Sequence, residues 1–179
     1  MNDDMITIRP VEREDAADLL ENCFSMSTLE GVQKRIENTI QMLEEGTGVR
    51  FVAEVDGVVV GTVMLKRNSH PLYAHRAEVF DIVVCGYYQR RGIARRLIAE
   101  CHARAASMGV EILEIGVRGG TPAEEVYRRL GFIEYARLPE GIKEPGDGGN
   151  IFDEIRFYQP VERAECGGVR FTFMAKMDV

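Results

Sequence analysis

The dipeptide Asp56-Gly57 lies between FVAEV and VVVGTVML, two runs dense in β-branched residues. Asp-Gly at such a junction is a strong short-range signal for a tight hairpin. A hairpin over Val49–Leu65 puts an antiparallel pair into whatever sheet this chain builds, which rules out a purely parallel one. Elements on either side then narrow the architecture. Ile6–Arg9 reads as a short strand closed by Pro10. Helical spacing appears in Glu12–Phe24 (Ala16, Leu19, Leu20, Phe24) and again in Leu29–Leu43 (Val32, Ile36, Ile40, Leu43), before Gly46 and Gly48. After the loop KRNSHPLYAHR come the strand AEVFDIVVC, the turn GYYQ and a helix from about Arg91 to Ser107. EILEIGV is a strand. Thr121-Pro122 opens a helix that Gly131 stops. FIEYARL is a strand, Pro139–Asn150 a turn-rich loop, and FDEIRFYQPV and VRFTFMAKM two more strand-like runs. Strands early and late with helices between them predict an α/β (α+β) fold around one mixed sheet.

At 179 residues the chain suits one well-buried domain, and no shift in composition divides it. Its formal net charge of −7 disfavours a general nucleic-acid binder, which needs a basic footprint. It leans instead toward a cationic or amine-bearing partner. No apolar run approaches the roughly 18 residues of a membrane span. The start, MNDDMITIRP, carries acids where a secretory signal carries bases. Cys23, Cys85, Cys101 and Cys166 are scattered, and with His70, His75 and His102 they make no metal-ligand spacing. The expectation is a cytoplasmic protein with no metal, no membrane and no nucleic-acid partner.

One stretch departs from the acidic background. Val83–Leu97, VVCGYYQRRGIARRL, runs from a strand end through a turn into a helix, with Arg90, Arg91, Arg95 and Arg96 inside seven residues. A helix start entered this way presents free backbone N–H groups and the positive end of the helix dipole, which together attract anions. Gly92 and Ala94 allow close backbone approach, and arginines add charge-assisted bonds to phosphate oxygens. Neither G-x-G-x-x-G nor G-x-x-x-x-G-K-[ST] is present. Arg90 and Arg91 stand against the dipole, as they would beside a bound anion. The alternative is a surface helix that is merely basic; Arg95 and Arg96 suit phosphate contact or solvent equally.

Gln89-Arg90-Arg91-Gly92-Ile93-Ala94 fits the pattern Q/R-x-x-G-x-G/A; an apolar strand precedes it, an amphipathic helix and then a strand follow, and the next helix ends Tyr127-Arg128-Arg129-Leu130-Gly131-Phe132. In this order the motifs resemble the GNAT superfamily, the acetyl-CoA-dependent N-acetyltransferases, over roughly residues 5 to 138. TIRPVEREDAADL and VVVGTVML are similar to that family's first strand and its second–third strand pair. The resemblance implies a single GNAT-like domain over residues 1–179, with a central mixed, mostly antiparallel twisted sheet flanked by helices. Residues 139–179 would then be a variable C-terminal strand region. Acetyl-CoA is the implied co-substrate, without a metal. The amine of a small molecule, protein or peptide would attack it directly in a ternary complex. Gln89, Arg90, Arg91, Gly92, Ile93, Ala94 and the adjoining Arg95 would hold the pyrophosphate, chiefly through main-chain N–H groups. The backbone of Ile82, Val83 and Val84 would hold the pantetheine arm. One departure is Gly120, where the family often has asparagine; the small residue Ala123 is kept. Homodimers are frequent in the family, and the late strands are candidates for such a contact.

Tyr127 stands where many members of the family place the acid that protonates the departing thiolate. A phenol of pKa near 10 can serve a thiol of pKa about 8.5; the alternative is a packing residue. For the base the candidates are Glu78 and then Asp81. Strict alternation along the strand sets Glu78 with Phe80, Ile82 and Val84, and Asp81 on the opposite face. Desolvation on an apolar strand would raise the Glu78 pKa, whereas a pairing such as Glu78–Arg76 would make it structural. His70, Tyr73 and His75 are solvated loop residues or line the acceptor pocket, where His75 would relay a proton. Phe24–Leu29 and Glu140–Phe152 are candidate substrate walls. Two rival readings remain: a non-catalytic acyl-CoA-binding sensor on the same fold, and a nucleic-acid binder using the arginine cluster.

Overall fold

The hairpin forms where the sequence places it. In the computed structural model, which describes residues 5–145 and 149–162, Asp56 and Gly57 take left-handed backbone (φ 51° and 83°). They join β2 (Gly48–Val55) to β3 (Val58–Arg67). The remaining strands are β1 (Ile6–Pro10), β4 (Arg76–Val84), β5 (Ile112–Arg118), β6 (Ile133–Lys143) and β7 (Ile151–Pro160). One sheet of order β1-β2-β3-β4-β5-β7-β6 contains them all. Every neighbouring pair is antiparallel except β4 and β5. The expected fold class, a mixed and mostly antiparallel sheet flanked by helices, is the one observed.

Among the described residues four helices cover the sheet: α1 (Ala16–Asn22), α2 (Leu29–Glu44), α3 (Ile93–Ser107) and α4 (Pro122–Arg129). One core joins Leu97, Ile98, Cys101 and Ala105 of α3 and Tyr127 of α4 to the sheet residues Leu65, Val79, Leu113, Ile115, Ile155 and Phe157. On the opposite face a smaller core sets Leu19 of α1 and Val32 and Ile36 of α2 against Val52 and Val59. This second cover stops at β3, so the starts of β4 and β5 and the middle of β7 carry polar side chains on that face, Arg76, Glu78, Glu114 and Arg156. Among the described residues no helix is long and apolar enough to cross a membrane.

Three sequence expectations need correction. The first helix is shorter than Glu12–Phe24: Arg13–Asp15 form a 3-10 turn, and α1 ends at Asn22. Arg9 grips Asp15 (2.7 Å) and the Glu12 amide donates to the same carboxylate (2.8 Å), which fixes the turn. Alternation along β4 fails at Asp81, whose φ is 50°. Between the pairs Met64↔Phe80 and Thr62↔Val83 the partner strand supplies one residue and β4 supplies two. This bulge returns Ile82 and Val84 to the core face shared by Ala77 and Val79. Finally, β6 runs on through Lys143 into the expected loop. The ladder resumes at Ile142↔Phe152, past a register shift that absorbs Pro139 and Glu140. The run Val169–Met177 lies outside the described residues.

Candidate active site

The parallel neighbours β4 and β5 pair only at Arg76↔Ile112, Ala77↔Leu113 and Glu78↔Glu114. Beyond Glu78 the strands diverge, and among the described residues β4 keeps a ladder with β3 alone, through Val83 and Val84. Among the described residues the edge of β4 turned toward β5 therefore has no strand partner over Val79–Val84. Backbone amides and carbonyls are obligatory hydrogen-bonding groups, so an open edge of this kind suits an amide-bearing chain laid along it. Ile82 and Val84 pack against the main core, which fixes that edge in place.

At the end of β4 the chain turns through Gly86–Tyr88 into α3. The Gln89 side chain donates to the Val84 carbonyl (3.0 Å) and pins the turn to the strand end. Arg90 (φ 65°) and Gly92 (φ 79°) both adopt left-handed backbone, and Gly92 is the N-cap of α3 with no capping side chain. The first bond across the cap runs from the Arg96 amide to the Gly92 carbonyl. Among the described residues the amides of Ile93, Ala94 and Arg95 donate to nothing. They point from the helix start as an anion site requires. Gly92 is needed for its backbone angle rather than for space, since a Cβ there would meet nothing within 4 Å. Ile93 is buried in the core and anchors the helix start. Arg91 lies over the Tyr88 ring at 5.1 Å. Arg96 reaches back to the Ile6 carbonyl (3.3 Å), so it braces β1, while Arg90 and Arg95 are exposed.

Tyr127 projects from α4 into the main core, 8% exposed, with its ring edge-on to Phe132 at 6.1 Å and tilted to Phe157 at 6.3 Å. Its hydroxyl makes no hydrogen bond among the described residues. Burial pushes the phenol up to about 12, so it stays protonated at neutral pH. The α4 N-terminus is held differently from the sequence expectation. Thr121 is the N-cap residue, but its hydroxyl donates to the Arg118 carbonyl (2.7 Å) and leaves the helix amides alone. Glu124 instead accepts from the Gly120 amide. Gly120 has φ 75°, left-handed backbone that glycine adopts without steric cost.

The two candidate bases sit three residues apart on one face and in different settings. Asp81, at the bulge, accepts from Arg50 Nη2 (2.9 Å) and lies 3.8 Å from Arg35. Arg50 is 4% exposed. It also donates to Thr62 Oγ1 (3.3 Å) and stacks on Phe24, which carries Arg35 as well. Burial drags the Arg50 guanidinium down, against the pull of Asp81, and its Nε finds no acceptor among the described residues. Asp81 is therefore tied to a buried cation. Glu78 pairs with Arg156 (2.9 Å), not Arg76, and is 47% exposed, so the expected desolvation is absent. Arg76 instead clamps Glu114, through its Nε at 2.7 Å and its terminal nitrogen. Tyr135 donates to the same carboxylate (2.6 Å). Burial pulls the Glu114 carboxyl up, but Arg76 and Tyr135 outweigh it and leave it below the ordinary range.

Sequence reasoning missed Glu114, Arg156 and Arg50. Alternation on β5 and β7 was the available signal, because it sets Glu114 and Arg156 opposite the apolar core face. Arg156 also crosses Gly116, its register partner, where a Cβ would meet its Nη1 at 2.9 Å. His70 accepts from the Leu72 amide (3.2 Å) and caps the 3-10 turn Pro71–Tyr73. His75 is exposed and borders a shallow hollow with Tyr135 and Tyr158.

Comparisons with known proteins agree with this geometry. An N-alpha-acetyltransferase from Sulfurisphaera tokodaii is 33% identical over 104 residues, covering 53% of this chain and 62% of that protein. The match thus spans less than two thirds of the relative's length. An N-acetyltransferase from Staphylococcus aureus Mu50 superposes with a TM-score of 0.75 at 17% identity, over 88% of this chain and 99% of that one. A putative acetyltransferase from Salmonella typhimurium, solved with its cofactor acetyl-CoA, gives 0.73 at 20% identity, over 89% and 95%. Likeness at these identities establishes the shared fold. The profile described as "Acetyltransferase (GNAT) family" matches residues 13–132, which takes in α1 and α2, the diverging strands β4 and β5, the α3 turn and Tyr127, and on that match the chain belongs to the GNAT acetyltransferase family.

Proposed function

We propose that the protein is an N-acetyltransferase that moves the acetyl group of acetyl-CoA to a primary amine by direct attack in a ternary complex. The observation that carries this reading is the open edge of β4, which leads without a break to the unpartnered amides at the start of α3. Acetyl-CoA is an amide-rich arm joined to a pyrophosphate, and it matches that edge and that anion site in order. Ile82, Val83 and Val84 hold the arm through their backbone. Gln89, Arg90, Arg91, Gly92, Ile93, Ala94 and Arg95 form the phosphate turn.

The amine nitrogen attacks the thioester carbonyl carbon, the carbon–sulfur bond breaks, the thiolate takes a proton from Tyr127, and the proton shed by the new amide nitrogen restores the phenol. A phenol held near 12 keeps its proton throughout the working range, although burial makes it a weaker donor to the thiolate than an ordinary phenol. The attacking amine must first lose its own proton. Glu78 accepts it, being exposed on the face away from α3; Asp81 is engaged by Arg50 and serves the bulge. Arg156 orients the Glu78 carboxylate. Positioning and aimed strand-end N–H groups supply most of the acceleration.

The test is release of free thiol from acetyl-CoA across a panel of amines. Amine-dependent release is expected; tight CoA binding with no transfer to any amine would instead favour the sensor. Glu78→Gln should lower the rate by about 10²-fold, most strongly where the amine is protonated. A variant whose pH–rate profile matches the parent's removes Glu78 as the base.

A further inference from the structure

On the face of the sheet turned away from α3, a polar cavity of about 220 Å³ opens between the β3–β4 loop and the first residues of β4 and β5. Glu78 forms part of its wall, so it adjoins the proposed point of amine deprotonation. Four cations border it, Lys66, Arg67, Arg76 and Arg156, against two carboxylates, Glu78 and Glu114. Both carboxylates are already engaged, Glu114 with Arg76 and Glu78 with Arg156. Arg67 gives its Nε to the Ala74 carbonyl (2.7 Å), and Lys66 is an exposed ammonium directly across the ladder from Glu78. Neither has a carboxylate partner among the described residues. The Asn68 side-chain oxygen accepts from the His70 amide (3.0 Å), which leaves its amide nitrogen to donate. Two uncompensated positive charges and a spare donor thus face one hollow in a chain of net charge −7.

We propose that this cavity reads a carboxylate on the acceptor, so that the substrate is an amine one amino-acid residue in size carrying a carboxylate. The inference rests on the acetyltransferase reading, because Glu78 serves both the amine and the cavity wall. An ammonium at Glu78 and a carboxylate at Lys66 and Arg67 complement the alternating charges, as charge-assisted hydrogen bonds require. A diamine would place its second ammonium against those cations, and like charges so placed are disfavoured. The volume falls below the roughly 300–1,000 Å³ of pockets for drug-sized ligands, which suits a single residue. This local charge reverses the lean toward a cationic partner that the overall composition suggests. A free amino acid and the acidic first residue of a peptide share the required chemistry.

The experiment compares L-aspartate and L-glutamate, the peptide Asp-Ala-Ala, the uncharged amides of the same compounds, and 1,4-diaminobutane. The carboxylates should exceed their amides by about tenfold or more in kcat/KM, with the diamine lowest. The ratio of free amino acid to peptide identifies the source. Lys66→Glu should raise KM for the carboxylates alone, and Lys66→Arg should restore it. Equal turnover of acids and amides, or a preference unchanged in Lys66→Glu, overturns the proposal. If no amine is acetylated, the catalytic reading fails separately, and an NMR titration with glutarate still decides the cavity. Shifts at Arg67 and Asn68 that vanish in Lys66→Glu support carboxylate recognition, and a parent protein that shows none refutes it.

Discussion

The two edges of β4 are built to opposite ends. Toward β3 the ladder runs from Arg67↔Ala77 to Gly61↔Val84, interrupted only by the bulge. Toward β5 it stops after Glu78↔Glu114. The paired edge gives the strand its position, and the unpaired edge gives it something to bind. An open edge inside a sheet is normally a liability. Here the bulge lies between the two behaviours, held by the Arg50–Asp81 pair from the α1–α2 side. Rigidity on one edge is what allows vacancy on the other.

The largest expected effect concerns the open edge. Tyr127→Phe should lower kcat by about 10²–10⁴-fold while acetyl-CoA affinity stays near that of the parent, measured by steady-state kinetics and calorimetry. Turnover that survives the change would make Tyr127 a packing residue. The same substitution has a signature in stability. Because burial lifts the phenol from 10 to about 12, the folded protein keeps that proton over an interval in which the unfolded chain releases it. Its contribution is intact below pH 10 and is lost as pH rises through 12, by about 3 kcal/mol. Cys23 and Cys101 are also pushed up to about 12 by burial; they act equally in both proteins, so the difference isolates Tyr127.

The paired edge is tested at Asp81. Asparagine tolerates the left-handed backbone that the bulge requires but removes the charge facing buried Arg50. Asp81→Asn should cost about 1–2 kcal/mol, below the range for a fully buried pair because Asp81 is one-third exposed. The measurement is a denaturant midpoint, with kcat expected to stay within severalfold. A protein of unchanged stability that has lost turnover would make Asp81 the base in place of Glu78.

Much of this contrast was legible in the sequence, and what was hidden has a common cause. Asp56-Gly57, the helical periodicities and the Gln89–Ala94 turn are local signals, each written in a few consecutive residues. The bulge is not: Asp81 sits in an apolar run like any strand residue, and only the pairing of β3 with β4 shows the extra residue. The partners of Glu78 were misread for the same reason. Arg76 is its near neighbour in sequence, yet the sheet delivers Arg156 from β7, across Gly116. A side chain's ion-pair partner is chosen by strand order, which a single sequence states only weakly. The site's backbone was therefore visible early, while the electrostatics of its acceptor face had to wait for topology.

The smallest expected effect falls where the two edges end, at Gly92. Its φ of 79° costs a residue with a Cβ about 1–2 kcal/mol, although a methyl there meets no neighbour. Gly92→Ala therefore separates conformational strain from steric blockage of the phosphate. If the turn holds its shape only through glycine, acetyl-CoA affinity should fall about five- to thirtyfold, with kcat at saturating cofactor unchanged. A bulkier Gly92→Val variant should weaken binding further, because its branches also crowd the approach of the anion. Equal losses in the two variants would assign the whole effect to backbone angle, and unchanged affinity in both would count against the turn as the phosphate site.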